Sequence, residues 1–248
     1  MRTTWSGIEP QALERVDRRQ EQLDRLRPWP PAAAERLWEG LLPAWIAGST
    51  AIDGSRMTLD DVAQLLSEGG IFPQYTLREH LEVLNHRQAI AQVRRLAGSK
   101  RPIRAADVRR LHALLMAGID DALAGRYRRY TDEERAAGGS IADLMREWEL
   151  WMAGSAQALH PIERAAVAHH RVLRIQPFLD GNGVTARLVM NLSLLKDGYL
   201  PAVLRPEQRH DYRQALYQAD QGDYRPLVQL SLEALERVQS MYLLALGP

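Results

Sequence analysis

The chain has no cysteine and almost no net charge. Its 248 residues include 32 Lys and Arg against 31 Asp and Glu, for a formal charge of +1. Without cysteine there can be no disulfide framework, which fits a cytoplasmic protein. Because the charges nearly cancel, nothing attracts the chain as a whole to nucleic acid or to an acidic membrane, and we expect neither as a partner.

Long apolar runs are also missing. No stretch approaches the roughly 20 consecutive apolar residues of a membrane-spanning helix, and the charged N-terminal segment does not resemble a signal peptide. At this length the chain can bury one large core, or a core plus a smaller unit. We therefore expect a soluble cytoplasmic protein.

Apolar residues recur at helical spacing along almost the whole chain, and period-two alternation is not seen. This pattern predicts an all-α fold. The predicted helices cover about residues 10–27, 32–47, 58–67, 76–96, 103–117, 145–152, 161–175, 184–195, 212–219 and 226–246.

The most informative stretch is the turn between the helices predicted at 161–175 and 184–195. Pro177 disfavours helical geometry at the residue before it, so the first helix should end near Ile175. The sequence Asp-Gly-Asn-Gly at 180–183 then supplies permissive backbone angles directly before the next helix. The stretch is therefore predicted to be a tight helix–loop–helix.

Such a turn can bind an anion. Backbone amides at a helix start, here those of Gly181, Asn182 and Gly183, are suited to phosphate. Asp180 could hold Mg²⁺ against that phosphate, and Arg187, one helical turn further on, could contact a terminal phosphate. The plain alternative is a glycine-rich turn between packed helices, with Arg187 in an ordinary ion pair.

The sequence Gln-Pro-Phe-Leu-Asp-Gly-Asn-Gly-Val-Thr-Ala-Arg at 176–187 resembles the Fic family signature, His-Pro-Phe-x-Asp/Glu-Gly-Asn-Gly-Arg-x-x-Arg. Similarity extends to Pro161–Ala166, Glu82–Asn85 and Gly222–Tyr224. The resemblance implies a Fic fold with a small or vestigial β-hairpin flap. It also implies transfer of a nucleoside monophosphate from ATP, or another phosphorylated donor, to a protein hydroxyl (AMPylation), with Mg²⁺.

Two departures from the signature bear on the chemistry. Gln176 stands where the family has its catalytic His, and Val184 stands where it has the first Arg. A carboxamide can orient a group by hydrogen bonding but cannot take up a proton near neutral pH. Losing a positioned base costs about 10²–10⁴-fold in rate, so ordinary AMPylation should be weak or absent.

A second stretch, residues 49–54, resembles the family's inhibitory motif, Ser/Thr-x-x-x-Glu-Gly/Asn. In the family the Glu pairs with the second Arg of the loop and blocks productive seating of the ATP γ-phosphate. Here the acid is Asp53, and its partner would be Arg187. The shorter side chain suggests a relaxed pair with an intervening water, or a different role such as a replacement base. A plain helix end is the alternative.

Residues 125–130 resemble the entry to the Fic flap, which binds target segments by strand addition. The following residues are few, polar and helix-prone, so docking of a protein substrate is doubtful. Arg126, Arg128 and Arg129 could instead hold a phosphate or an acidic group, or they could simply be solvated.

Three functions remain open. The first is a Fic-type transferase with altered chemistry on a nucleotide or a phosphorylated small molecule, in which Gln176, Asp53 and Arg187 would act. The second is a catalytically inactive binding module, and the third is a structural relic without ligand affinity. Conventional AMP transfer is a further alternative. We divide the chain into an N-terminal helical region, 1–98, and a Fic core, 99–248.

Overall fold

The structure, a computed structural model, describes residues 5–129 and 140–247. These residues form ten α-helices and two short 3₁₀ helices and contain no β-strand, which confirms the all-α class. None of the described helices combines the length and apolarity of a membrane span. The α-helices are α1 Pro10–Arg25, α2 Pro31–Ile52, α3 Leu59–Glu68, α4 Leu77–Ala97, α5 Ala105–Met116, α6 Ile141–Ala153, α7 Pro161–Ile175, α8 Asn182–Lys196, α9 Arg209–Asp220 and α10 Arg225–Leu246.

Helices α7 and α8 form the centre of the molecule and pack against each other. Every residue of α7 from Pro161 to His170 is buried, as is every residue of α8 from Thr185 to Leu194. A helix buried on all sides needs neighbours all round, and α4, α5 and α6 provide them. Helix α4 packs on both α5 and α8, so contacts cross the boundary proposed at residue 98. The division into two regions remains a prediction.

Two helix starts follow local rules that are visible in the sequence. The Thr58 side chain accepts a hydrogen bond from the backbone N–H of Asp61, and the Thr58 backbone N–H donates to the Asp61 carboxylate in return. Thr76 and Glu79 form the same reciprocal cap on α4. Each cap pairs N–H groups that the helix itself leaves free. The Thr58 cap fixes the start of α3, and the Thr76 cap fixes the start of α4.

Helix α2 differs from its predicted extent. It continues through Pro43 to Ile52, so the motif at 49–54 forms its last turn and Asp53 is its C-terminal cap. Helix α6 begins earlier than predicted, at Ile141, because Ser140 caps it. The expected flap hairpin falls largely on residues 130–139, which lie outside the described residues, and it remains a prediction.

Helix α2 passes so close to the segment after α8 that a glycine is required at one position. A Cβ atom on Gly48 would lie 2.0 Å from the carbonyl oxygen of Leu204, whereas a Cβ on Gly40, in the same helix, would contact nothing within 4 Å. The close approach at Gly48 holds the last turns of α2 in place.

We expect Gly48→Ala to lower the free energy of unfolding by about 1–3 kcal/mol, because backbone must shift to admit the methyl group. Gly40→Ala is the matched control and should raise it by about 0.5–1 kcal/mol through helix propensity. Urea unfolding followed by circular dichroism measures both. A Gly48→Ala protein as stable as wild type would show that the two segments are not in contact.

Candidate functional site

A cleft of about 440 Å³ opens where the end of α2, one face of α4 and the turn between α7 and α8 meet. Six of the residues singled out in the sequence line it, namely Asp53, Gln176, Asp180, Gly181, Asn182 and Gly183. Val184 lines it too. Arg187 is buried beside it and reaches Asp53. Residues 134 apart in sequence are thus brought to one place.

The turn begins with an unusual backbone. Gln176 ends α7 in the left-handed region, with φ 44° and ψ 63°, and is the one non-glycine residue with positive φ in the described ranges. Such a conformation is strained for a side chain other than glycine and tends to occur at functional sites. Arg128 supports it, because its Nε donates to the Gln176 carbonyl at 2.7 Å and its backbone N–H donates to the Pro177 carbonyl at 2.9 Å.

The middle of the turn is closed by side chains bonded to backbone. Asn182 accepts from the Phe178 N–H at 3.0 Å and donates to the Phe178 carbonyl at 2.8 Å. His112 stacks on Phe178 with ring centroids 3.7 Å apart. Its Nδ1 accepts from the Gly125 N–H, so its Nε2 carries the proton and donates to the Asp180 carbonyl at 3.0 Å. Burial lowers the pKa of His112, which favours this neutral form.

The turn leads into an open helix start. Gly181 is the N-cap of α8, in the left-handed region at φ 70°, and no side chain caps the helix there. The first N–H groups of a helix have no partner within it, and they carry the positive end of its dipole. Because residues 181–184 line the cleft, these amides lie where the sequence predicts an anion hole, although the Gly181 N–H is already donated to Asp180 Oδ1.

Arg187, in the second turn of α8, is buried beside the cleft and bonded to the end of α2. Its Nη2 lies 2.7 Å from Asp53 Oδ2, its Nη1 lies 3.3 Å from Asp53 Oδ1, and its Nε donates to the Ser49 hydroxyl at 2.8 Å. Burial disfavours its charge, but Asp53 and Tyr212 together more than offset this, and the pKa of Arg187 is raised. The pair is direct, without the water that the shorter Asp side chain suggests.

Asp53 also covers the helix start. A Cβ atom on Gly183 would lie 2.8 Å from both carboxylate oxygens of Asp53. Only glycine fits at 183 while this carboxylate is in place. A fixed anion therefore occupies part of the space that a ligand phosphate would need.

The carboxylate of Asp180 stands at the mouth of the cleft. Its Oδ1 accepts from the Gly181 N–H at 2.7 Å, and its Oδ2 lies 2.5 Å from Nη2 of Arg78. The hydrogen bond from Arg78 lowers the pKa of Asp180. Arg78 also contacts Glu82, with Nε 2.9 Å from Oε1.

The α4 face was not anticipated as part of the site. Arg78, Glu82 and His86 follow each other at intervals of four residues, the spacing that puts side chains on one helix face, and all three line the cleft. His86 is fully buried, and neither of its ring nitrogens has a hydrogen-bond partner. The i, i+4, i+8 pattern was the available signal, although it does not show which way the face points.

Other candidates lie apart from the cleft. Arg126 and Arg129 are exposed and do not line it, and Arg128 supports the loop backbone. Beyond these candidates, Tyr212 of α9 is buried with its ring centroid 5.8 Å from the Arg187 guanidinium.

The comparisons with known proteins all indicate the same family. Residues 102–194 match the Fic/DOC family. Two curated relatives are named protein adenylyltransferase Fic. The one from Drosophila erecta is 31% identical over 96% of this chain and 49% of its own length, and the one from Nematostella vectensis is 31% identical over 95% and 56%. The chain thus spans about half the length of the curated relatives it matches.

A solved structure of Fic-1 from C. elegans superposes with a TM-score of 0.87 at 28% identity, over 97% of this chain and 72% of that one. The helical architecture is therefore the Fic fold. The chain contains a Fic domain, and the resemblance seen in the signature loop is confirmed at the level of the family.

His86 makes the stability of the protein depend on pH. Burial, together with the positive charge of Arg187, lowers the pKa of His86 from 6.5 to about 3. The unfolded chain therefore binds this proton below about pH 6.5 while the folded chain does not, so the contribution is present above that pH and is lost on acidification. We expect His86→Leu to remove about 2 kcal/mol of the difference in unfolding free energy between pH 7.5 and pH 5.0.

Urea unfolding at the two pH values measures this difference. Ile90→Val is the control, since it changes a buried apolar side chain of the same helix without a titrating group. It should lower stability by about 0.5–1.5 kcal/mol at both pH values. An unchanged pH dependence in His86→Leu would contradict the assignment.

Proposed function

We propose that this chain binds a nucleotide or another phosphorylated ligand, with the phosphates at the 176–187 loop, and catalyses a phosphate-dependent transfer that does not use an imidazole base. The observation that carries the proposal is the start of α8, which no side chain caps and which lines the cleft with two glycines, next to the buried pair of Arg187 and Asp53. A helix start of this kind binds phosphate through backbone amides and the helix dipole.

A divalent cation fits the same site. Mg²⁺ is commonly held by one or two carboxylates together with phosphate oxygens and water. Asp180 supplies one carboxylate, half exposed at the mouth of the cleft and next to the anion hole. No cluster of three or more His, Cys, Asp or Glu ligands occurs within 5–129 and 140–247, so the ligand phosphates would complete the coordination. The cation would supply charge neutralisation there.

The loop lacks an imidazole side chain that could take up a proton from the acceptor. Gln176 occupies the position of the family base, and its amide can orient an acceptor but cannot deprotonate it. Val184 lines the cleft without a charge, so one source of transition-state stabilisation is also missing. A carboxylate or phosphate acceptor, already deprotonated at neutral pH, avoids the first problem. Asp53 is the carboxylate that we assign as a replacement base.

The names of the relatives favour a second candidate. Both are protein adenylyltransferases, and by analogy ATP would be the donor and a protein hydroxyl the acceptor. The proposal and this candidate share the nucleotide site and differ in the acceptor and in rate. An inactive nucleotide-binding module is the remaining alternative, and it predicts ligand affinity without covalent transfer.

Asp53 limits access to the site in all three cases. Its carboxylate lies against Gly183 and neutralises Arg187. A phosphate that binds at the start of α8 would therefore be repelled by the negative charge of Asp53. Ser49 still holds Arg187 if this carboxylate is removed, through its hydroxyl and its carbonyl at 2.8 Å each. The guanidinium would then be free to pair with a ligand.

We expect Asp53→Asn to lower the Kd for a non-hydrolysable ATP analogue with Mg²⁺ by about tenfold, because one like charge leaves the anion hole. The unfolding free energy should fall by about 1–3 kcal/mol, since Arg187 loses its counter-ion while remaining buried. Calorimetric titration and urea unfolding measure the two effects.

Asp60→Asn, an exposed acid in the first turn of α3, is the control for the loss of one negative charge and should leave the Kd unchanged. If Asp53→Asn and wild type bind the analogue with the same Kd, Asp53 does not restrict the site. If neither binds any nucleotide, the proposed function itself is wrong.

The missing base can be restored. We expect Gln176→His combined with Val184→Arg, in an Asp53→Gly background, to raise label transfer from α-labelled ATP by about 10²–10⁴-fold over Asp53→Gly alone. Gln176→Ala in the same background is the control and should stay at the low level. Robust transfer by the unaltered chain, unchanged in Gln176→Ala, would refute the account of a lost base.

A further inference from the structure

Arg78 is held between carboxylates from two different elements. It belongs to the first turn of α4, where its Nε contacts Glu82 one turn later at 2.9 Å. Its Nη2 crosses the mouth of the cleft to Asp180 Oδ2 at 2.5 Å, over a sequence separation of 102 residues. These contacts raise the pKa of Arg78, the hydrogen bond to Glu82 contributing most. The guanidinium therefore stays charged at every pH of interest.

This contact engages the oxygen of Asp180 that a cation would need. The other oxygen, Oδ1, already accepts from the Gly181 N–H at 2.7 Å. Oδ2 keeps a second lone pair, but a metal ion there would lie within a few ångströms of the positive guanidinium, so binding requires the guanidinium to move away. The displacement is feasible because both side chains of the pair are about half exposed, at 55% and 53%, and exposed ion pairs are weak.

Removing Arg78 would also change the charge of the cleft mouth. Glu82 and Asp180 both line the cleft, and Arg78 is the cation that both contact. Without it, two carboxylates would face the same space uncompensated. An ion with two positive charges gains more from this change than any monovalent ion.

We propose that Arg78 is a built-in counter-ion of the cation-binding carboxylate, which a divalent cation must displace and which therefore sets the affinity of the site for that cation. The inference rests on the proposed function, because it assigns the cation to Asp180. The inference goes beyond the proposed function because it names Arg78, which lies in the N-terminal helical region and outside the signature loop, as the determinant of affinity for the cation.

The test uses Mn²⁺ alone, without nucleotide, because free Mn²⁺ gives an electron paramagnetic resonance signal that bound Mn²⁺ loses. We expect Arg78→Ala in the full chain to lower the Kd for Mn²⁺ by about tenfold, since one positive charge is removed a few ångströms from a divalent ion. Arg78→Lys keeps the charge and should stay within about twofold of wild type by the same reasoning.

Two further variants make the result specific. Arg56→Ala removes an exposed arginine from the segment between α2 and α3, whose ion-pair partner Glu79 lies on α4. This variant should not change the Kd for Mn²⁺. Arg78→Ala combined with Asp180→Asn should lose the gain in affinity. A persistent gain in that double variant would overturn the proposal, because the ion would then bind elsewhere.

An unchanged Kd for Mn²⁺ in Arg78→Ala would overturn the proposal as well. Nucleotide titration of the same protein without metal separates this result from failure of the proposed function. If nucleotide binds while the Mn²⁺ affinity does not respond to Arg78, only the counter-ion role is wrong. If neither binds, the assignment of the site is wrong.

Discussion

The site depends on one buried guanidinium. Arg187 extends from the central helix α8 into the space under the turn, where it contacts the last turn of α2 through Ser49 and Asp53. A buried charge without such partners would cost several kcal/mol. The position of α2, the glycine at 183 and the shape of the cleft therefore follow from satisfying this one group. The proposed function assigns a ligand phosphate to the same group, so one side chain would serve both stability and recognition.

The strained turn is stabilised from outside the signature. Gln176 keeps its left-handed conformation while Arg128 bonds to two successive carbonyl groups. His112 stacks on Phe178 and bonds to the Asp180 carbonyl. These partners lie between 48 and 68 residues away in sequence. The loop geometry therefore depends little on which side chain stands at 176, because most of these contacts are to backbone.

The sequence allowed much of this to be anticipated where the determinants are local. The helix starts at Thr58 and Thr76 follow from capping pairs whose two members are three residues apart. The turn at 180–183 follows from its glycines. Family resemblance paired Asp53 with Arg187. The extension of α2 beyond Ala47 to Ile52 was not foreseen, because its last turns pack at Gly48 against Leu204, a residue far away in the sequence. The α4 face was missed for a different reason. A helical stripe of Arg78, Glu82 and His86 is visible in the sequence, but its orientation depends on how α4 packs on α8.

The charges of the described cleft show what binding requires. Three carboxylates, those of Asp53, Glu82 and Asp180, face two guanidiniums, those of Arg78 and Arg187, and each guanidinium already contacts a carboxylate. The buried imidazole of His86 adds no charge, because its pKa is lowered to about 3. An anion entering this cleft meets a net negative surface and no unpaired guanidinium among these residues. It must therefore exchange an existing ion pair for a new one, or bring a cation that takes over a carboxylate. Affinity for a phosphate then depends on how easily Asp53 and Asp180 give up their partners. Under the proposed function, the backbone amides at the start of α8 are the contacts that would make such an exchange favourable.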